Sequence, residues 1–223
     1  MAPIVSKQDF LERRRYMVEG QLRTGGVTDL NLLTAFLDVP REAFVAPAQS
    51  AFAYLDGDLP SLGSKVRRLL PPLTLARLLQ AASIAAGERA LDVAGGAGYS
   101  AALLGRLGTR VVALDSDAEA AESANTILPG YGEIEVVVGD LAKGVPAKGP
   151  YDVILVNGAF EVLPEDLIGQ LAEGGRLVGV QICPLAQEAV LIEKVPTGFS
   201  RRVLFETRAA TLDAFRRAPS FAF

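Results

Sequence analysis

The 223-residue sequence contains no histidine and a single cysteine, Cys183. Without histidine, zinc sites of the Cys/His kind are excluded. So are Ser-His-Asp and Cys-His catalysis, and any enzyme built on this chain works without an imidazole base. One cysteine rules out an intrachain disulfide, and Cys183 reads as a core residue. No uninterrupted apolar run approaches the length of a membrane span. The N-terminus lacks a cationic segment leading into a long apolar stretch, so no signal peptide is read there. Cytoplasm is the expected location. Positive charge is also scarce. The 22 Lys and Arg against 26 Asp and Glu leave a formal charge of −4, which argues against broad binding to phosphate backbones. No nucleic-acid and no membrane partner is expected. The basic clusters Arg13–Arg15, Arg67–Arg68, Arg201–Arg202 and Arg216–Arg217 read first as solvated faces. No internal repeat and no low-complexity segment is found. A chain of this size buries roughly 70% of its unfolded surface and needs no covalent staple.

What is present is an α/β rhythm. Residues 8–24 have Phe10, Leu11, Met17, Val18 and Leu22 near one helical face. A second helix begins near Asp29, with Thr28 or Asp29 as its N-cap. Five prolines break up residues 40–71, which are expected to be mostly irregular, in the manner of a lid or binding loop. A helix over 73–83 leads into the first strand. Strands are then expected at 89–94, 110–115, 134–138 and 151–157, with helices at 98–107, 117–127 and 163–172. This alternation implies a parallel sheet covered on both faces. Three further strands lie at 176–180, 189–193 and 203–206. The last two are separated by Pro196–Thr197–Gly198, too little chain for a helix, so the sheet ends in an antiparallel hairpin.

The most informative stretch is Leu91–Asp92–Val93–Ala94–Gly95–Gly96–Ala97–Gly98–Tyr99–Ser100, followed by Val111–Val112–Ala113–Leu114–Asp115. Strand, glycine turn, helix, strand and terminal acid form half of a nucleotide-binding unit. Gly96 and Gly98 allow close backbone approach, and an acid such as Asp115 can hold both hydroxyls of a ribose. An NAD site satisfies the same loose pattern. Against it stand the absent histidine, the position of the turn deep in the chain and the terminal hairpin. S-adenosylmethionine is the alternative, and it offers more positions. Asp92, Ala94 and Ser116 flank the turn and the acid. Gly139–Asp140–Leu141 follows the third strand, where Asp140 can accept from an adenine amino group and Leu141 can flank the ring. Asn157 closes the fourth strand, facing the crevice at the carboxyl ends of the strands. The competing reading of Asp140 is a turn or helix cap, and that of Asn157 a turn residue.

At these residues the chain resembles the class I methyltransferases. More narrowly, it resembles the protein-L-isoaspartate O-methyltransferases. The narrower likeness rests on Met17–Val18–Glu19–Gly20–Gln21–Leu22–Arg23, Val27–Thr28–Asp29, Val39–Pro40–Arg41–Glu42–Ala43–Phe44–Val45, Ala53–Tyr54–Leu55–Asp56 and Leu59–Pro60. The resemblance implies a seven-stranded, mostly parallel Rossmann-like sheet with an antiparallel C-terminal hairpin. It further implies a helical extension over residues 1–72 that covers the crevice of a cofactor-binding domain over 73–223. The cofactor implied is S-adenosylmethionine, and the partner a damaged protein or peptide carrying an isoaspartyl residue. A monomer is the default. The family methylates the isoaspartyl α-carboxylate, already ionised at pH 7, so no general base is required. Two departures stand out. The family's Gly-Gln-Thr-Ile-Ser-x-Pro segment, whose hydroxyls lie at the active site, is replaced by Gly63–Ser64–Lys65–Val66–Arg67–Arg68–Leu69–Leu70–Pro71–Pro72. Arg67 and Arg68 become substrate-side candidates, because a guanidinium can clamp a carboxylate bidentately. Asn157 is a third. Ala94 stands where the family commonly has glycine. A methyl is expected to fit there, on the premise that the strand end needs no positive φ.

Overall fold

The computed structural model describes residues 6–217. The C-terminal aromatics Phe221 and Phe223, which by sequence pack on their own domain, lie outside the described residues.

The chain opens with α1 (Lys7–Met17), capped by a reciprocal Ser6–Asp9 box. It continues through one π-helical turn, Val18–Leu22, so the helical reading of 8–24 holds with a change of pitch. Helix α2 (Leu30–Asp38) starts where Asp29 accepts from the N–H groups of Asn31 and Leu32. It buries Leu32, Leu33, Ala35 and Phe36. Residues 40–71 carry two short 3₁₀ turns and a two-residue ribbon, β1 (Leu59–Pro60) against β2 (Arg68–Leu69). Pro72 opens α3 (Pro72–Ala82), at a position where its missing N–H costs nothing.

The sheet strands follow as β3 (Arg89–Val93), β4 (Arg110–Asp115), β5 (Glu133–Val138), β6 (Tyr151–Phe160), β7 (Leu171–Ile182), β8 (Gln187–Val195) and β9 (Gly198–Glu206). Between them lie α4 (Tyr99–Arg106), α5 (Ala118–Ile127) and α6 (Glu165–Gly169). The spatial order is β5-β4-β3-β6-β7-β8-β9. Strands β5 to β7 are parallel; β8 runs against both β7 and β9. The expected hairpin is therefore present, and its second strand forms the outer edge. Alternate residues of the central strands serve the two faces. Ala90, Val111, Val153 and Val178 join one core with Met17, Phe36 and Leu79. Leu91, Val112, Ile154 and Leu177 join the other with Leu167, Leu171 and Phe215.

Three expectations are corrected. Cys183, read as a core residue, is only partly buried, and its thiol donates to Glu188 beside Arg201. The helix read over 163–172 is only Glu165–Gly169, because Leu171 already pairs with Tyr151 in the sheet. The apolar residues Leu167, Ile168 and Leu171 suit either a short helix or a strand start, and only tertiary pairing separates the two. Strand β6 also runs on to Phe160, with a register shift against β7 between Leu155 and Ala159. Asn157 thus sits in an irregular part of a strand rather than in a turn. Bulged strands commonly re-aim side chains beside functional sites.

The chain order reverses direction across the sheet between β3 and β6. That is the switch point at whose carboxyl ends open α/β sheets bind ligands.

Candidate active site at the glycine turn

The sequence-predicted residues Asp92, Gly96, Asp115 and Asn157 do meet at this crevice. Asp115, at the end of β4, is 3% exposed. Its Oδ2 accepts from the Gly96 N–H at 3.0 Å, and its Oδ1 accepts from the Asp117 N–H at 2.9 Å. The acid of one strand thereby grips the glycine turn of the next. Gly96 has φ +63°, and Gly98, which opens α4, has φ +92°. Both lie where a β-carbon is disfavoured.

Asp92 is fully enclosed. Its carboxylate accepts from Asn157 Nδ2 at 2.7 Å and from Ser100 Oγ at 2.9 Å. Asn157 Nδ2 also donates to the Val93 carbonyl at 3.1 Å, so it ties β6 to β3 across the switch point. Burial pushes the Asp92 carboxyl up to about 6, partly offset by the Asn157 and Ser100 hydrogen bonds and reinforced by the charge on Asp115. Because the folded pKa is raised, ionising Asp92 costs stability. The loss accrues as pH rises from about 3.8 through about 6. Asp92→Asn, which cannot ionise, should therefore gain on the wild type across that window, reaching roughly 2–3 kcal/mol above it. Urea denaturation of both proteins between pH 4 and 8 checks this; parallel curves would contradict it.

Ala94 is buried with φ +60°, so the premise that this position needs no positive φ is corrected. An L-residue in that region carries about 1–2 kcal/mol of strain. Ala94→Gly is expected to stabilise the fold by about 0.5–1 kcal/mol after the unfolded-state entropy of glycine is counted. A melting temperature equal to or below the wild type would refute it.

The remaining candidates divide. Leu141 is buried and lines a cleft of about 310 Å³ with Val66, Arg67, Ser116, Asp117, Asp213 and Ala214. Asp140 is half-exposed, accepts from the Ala142 N–H and lies 3.9 Å from Lys143, so the turn-cap reading describes its contacts. The Arg68 guanidinium pairs with Asp58 at the surface, while the residue lines, with Leu69 and Leu70, a small cavity beside Gly95, Ser100 and Asn157. Arg67 enters the crevice, which corrects its reading as part of a solvated face. Its Nε donates to Asp115 Oδ1 at 2.8 Å, and its Nη2 donates to Ser116 Oγ at 2.7 Å. The pair is nearly dry, at 10% and 5% side-chain exposure. Beneath the turn, a small internal space of about 10 Å³ lies between Asp92, Gly96, Gly98 and Asp115 and the core residues Ala113, Ala121, Ala124 and Val136, one water's room.

Sequence reasoning missed four residues here: Ser61, Ser64, Asp117 and Arg41. Ser61 Oγ accepts the Ala97 N–H at 2.8 Å, and a β-carbon on Gly96 would collide with that hydroxyl. Ser64 Oγ donates to Asp117 Oδ2, and Asp117 also caps α5. The Asp-x-Glu at 117–119 carries a capping signal; nothing local marks Ser61. Arg41 is fully buried, donating to the carbonyls of Ala53 and Leu70 at 2.9 Å each, with its guanidinium 4.9 Å from the Tyr99 ring centroid.

With this arrangement in place, comparison with known proteins is decisive. The family model described as protein-L-isoaspartate(D-aspartate) O-methyltransferase matches residues 12–208. The chain belongs to that family. A protein-L-isoaspartate O-methyltransferase of Koribacter versatilis is 38% identical over 205 residues, covering 91% of this chain and 90% of that one. Among solved structures, a protein-L-isoaspartate O-methyltransferase superposes with a TM-score of 0.77 at 29% identity, covering 89% of this chain and 65% of that one. A second, from Plasmodium falciparum and solved with S-adenosyl-L-homocysteine, has a TM-score of 0.77 at 20% identity and shares the fold. It is covered to 98%, against 90% of this chain.

Proposed function

We propose that this protein transfers a methyl group from S-adenosylmethionine to the α-carboxylate of an isoaspartyl residue in a damaged protein or peptide. The single observation that carries the reading is the Asp115–Gly96 grip at the carboxyl ends of β3 and β4, in a chain belonging to this family.

The residues fit the cofactor in kind. Asp115 would hold the ribose hydroxyls. Asp92, a buried carboxylate whose described partners are the neutral Asn157 and Ser100, would be relieved by the cofactor's ammonium. Leu141 and Ser116, lining the 310 Å³ cleft, would flank the adenine with Asp140 at its rim. Ala94, Gly96 and Gly98 shape the turn, and Asn157 holds Asp92 in place. When bound, the cofactor supplies an electrophilic methyl on a sulfonium. The chain's own task is alignment and exclusion of water, since the acceptor carboxylate is already ionised near neutral pH. Among the described residues, those up to 72 would act as the cover of the crevice and those from 73 onward as the cofactor domain. No helix among the described residues is long and apolar enough to cross a membrane. The proposal includes a cytoplasmic, monomeric protein with no nucleic-acid partner, in keeping with the net charge of −4.

A second reading, methyl transfer to another carboxylate, is favoured by the 63–72 segment. Leu69 and Leu70 are buried where the family places hydroxyls, and the substrate-side candidates Arg67, Arg68 and Asn157 are held by Asp115, Asp58 and Asp92. Labelled methyl transfer to a peptide with one isoaspartate, set against its aspartate twin, tests the proposal. Transfer to the isoaspartyl peptide alone is expected. Transfer to neither, with S-adenosylhomocysteine bound, would move the function to the second reading or to a non-catalytic homologue.

A further inference from the structure

We infer that Arg67 is an internal competitor for the cofactor's ribose: it holds the crevice shut by occupying Asp115, and the cofactor enters only when segment 61–67 lifts. The inference rests on the cofactor reading above. The Asp115 carboxylate offers about four acceptor sites on its two oxygens, and three donors already occupy them. Oδ2 takes the Gly96 N–H; Oδ1 takes both the Asp117 N–H and Arg67 Nε. One site is left, and a ribose that presents both hydroxyls needs two, so one donor has to give way; the guanidinium is the donor carried on a side chain rather than on the backbone.

Three further observations make this a seated latch rather than a passing side-chain contact. Arg67 has a second anchor, Ser116 Oγ. The backbone carrying it is held from both sides: the Arg67 N–H donates to Ser64 Oγ, and the Arg67 carbonyl accepts from the Ser61 N–H at 3.0 Å. Ser61 in turn accepts the Ala97 N–H of the glycine turn, so the segment lies directly on the turn. The close approach that Gly96 permits is thus used by the chain's own Ser61 and Arg67, whose Cβ would be 3.3 Å from a Gly96 β-carbon. The adjoining cleft beside Leu141 stays open at about 310 Å³, and Arg67 with its anchor Ser116 forms the wall of that cleft on the Asp115 side. A ligand that binds only the open form sees its affinity reduced by the open fraction.

Calorimetric titration with S-adenosylhomocysteine of the full-length wild type, Arg67→Ala and Arg67→Gln tests this. Circular dichroism confirms folding, and Arg67→Gln, which keeps most of the side-chain volume, decides the matter if the alanine variant does not fold. Tighter binding by the variants, roughly 10-fold or more, is expected. Amide hydrogen exchange of the wild type should rise across 61–68 when the ligand is added. Binding by the variants with none by the wild type would support the latch equally. If the wild type binds and the variants bind no tighter, the latch is overturned and the cofactor reading stands. If none of the three binds at millimolar ligand, both fall.

Discussion

Asp115→Ala is expected to lower stability by about 3 kcal/mol, and to abolish S-adenosylhomocysteine binding. The stability loss has a definite source. The Arg67–Asp115 pair is nearly dry, and removing one partner of such a pair typically costs about 3–5 kcal/mol, because the other charge is left without compensation. The N–H groups of Gly96 and Asp117 lose their acceptor at the same time. Part of this is recovered because Arg67, on a surface segment, can swing into water. That places the net figure near the low end of the range. The same logic predicts coupling. The double variant Arg67→Ala/Asp115→Ala should be less destabilised than the sum of the two single changes by about 1–3 kcal/mol, as residues in one network are. Urea denaturation of the four proteins measures it. A sum within about 0.5 kcal/mol would mean the two side chains do not hold one another.

Arg41→Ala should cost about 3–4 kcal/mol, for a different reason. Arg41 is fully buried and faces two backbone carbonyls and an aromatic ring. Two buried carbonyls lose their donors, at about 1–3 kcal/mol each. A cavity replaces a long side chain, and a cation–π contact worth about 1–2 kcal/mol goes with it. Against these stands relief from burying a charge: burial draws the guanidinium pKa down, and Arg41 Nη1 has no hydrogen-bond partner among the described residues. The losses exceed that relief because the two carbonyl bonds and the Tyr99 ring already offset much of it. The effect also reaches the site. Ala53 and Leu70, the residues Arg41 joins, bracket the segment that carries Ser61 and Arg67. Amide exchange over 53–70 should therefore rise in folded Arg41→Ala. A stability within about 1 kcal/mol of the wild type, below the usual range for such losses, would contradict this account.

Much of the architecture was legible in the chain alone, because the signals are local. The strands β3, β4 and β5 fall where short apolar runs end in turn residues. The hairpin of β8 and β9 was forced by a connection too short for a helix. Asp115 was identifiable because strand-end acids two elements after a glycine turn have one dominant geometry. The family resemblance likewise rested on contiguous strings, and the family match over residues 12–208 agrees with it. What stayed out of reach depends on contacts between distant segments. Arg67 meets Asp115 across 48 positions, and Ser61 meets Ala97 across 36. Nothing in residues 61–67 specifies which way an irregular loop will lie. Asn157 looked like a turn residue because Asn-Gly usually makes one, yet pairing beyond it carries β6 on to Phe160. The left-handed backbone at Ala94 was hidden because alanine rarely adopts it, and only the grip of the surrounding turn imposes it. Local preference sets where helices and strands begin. The packing of one segment on another decides whether a glycine turn faces a ligand or the chain's own arginine.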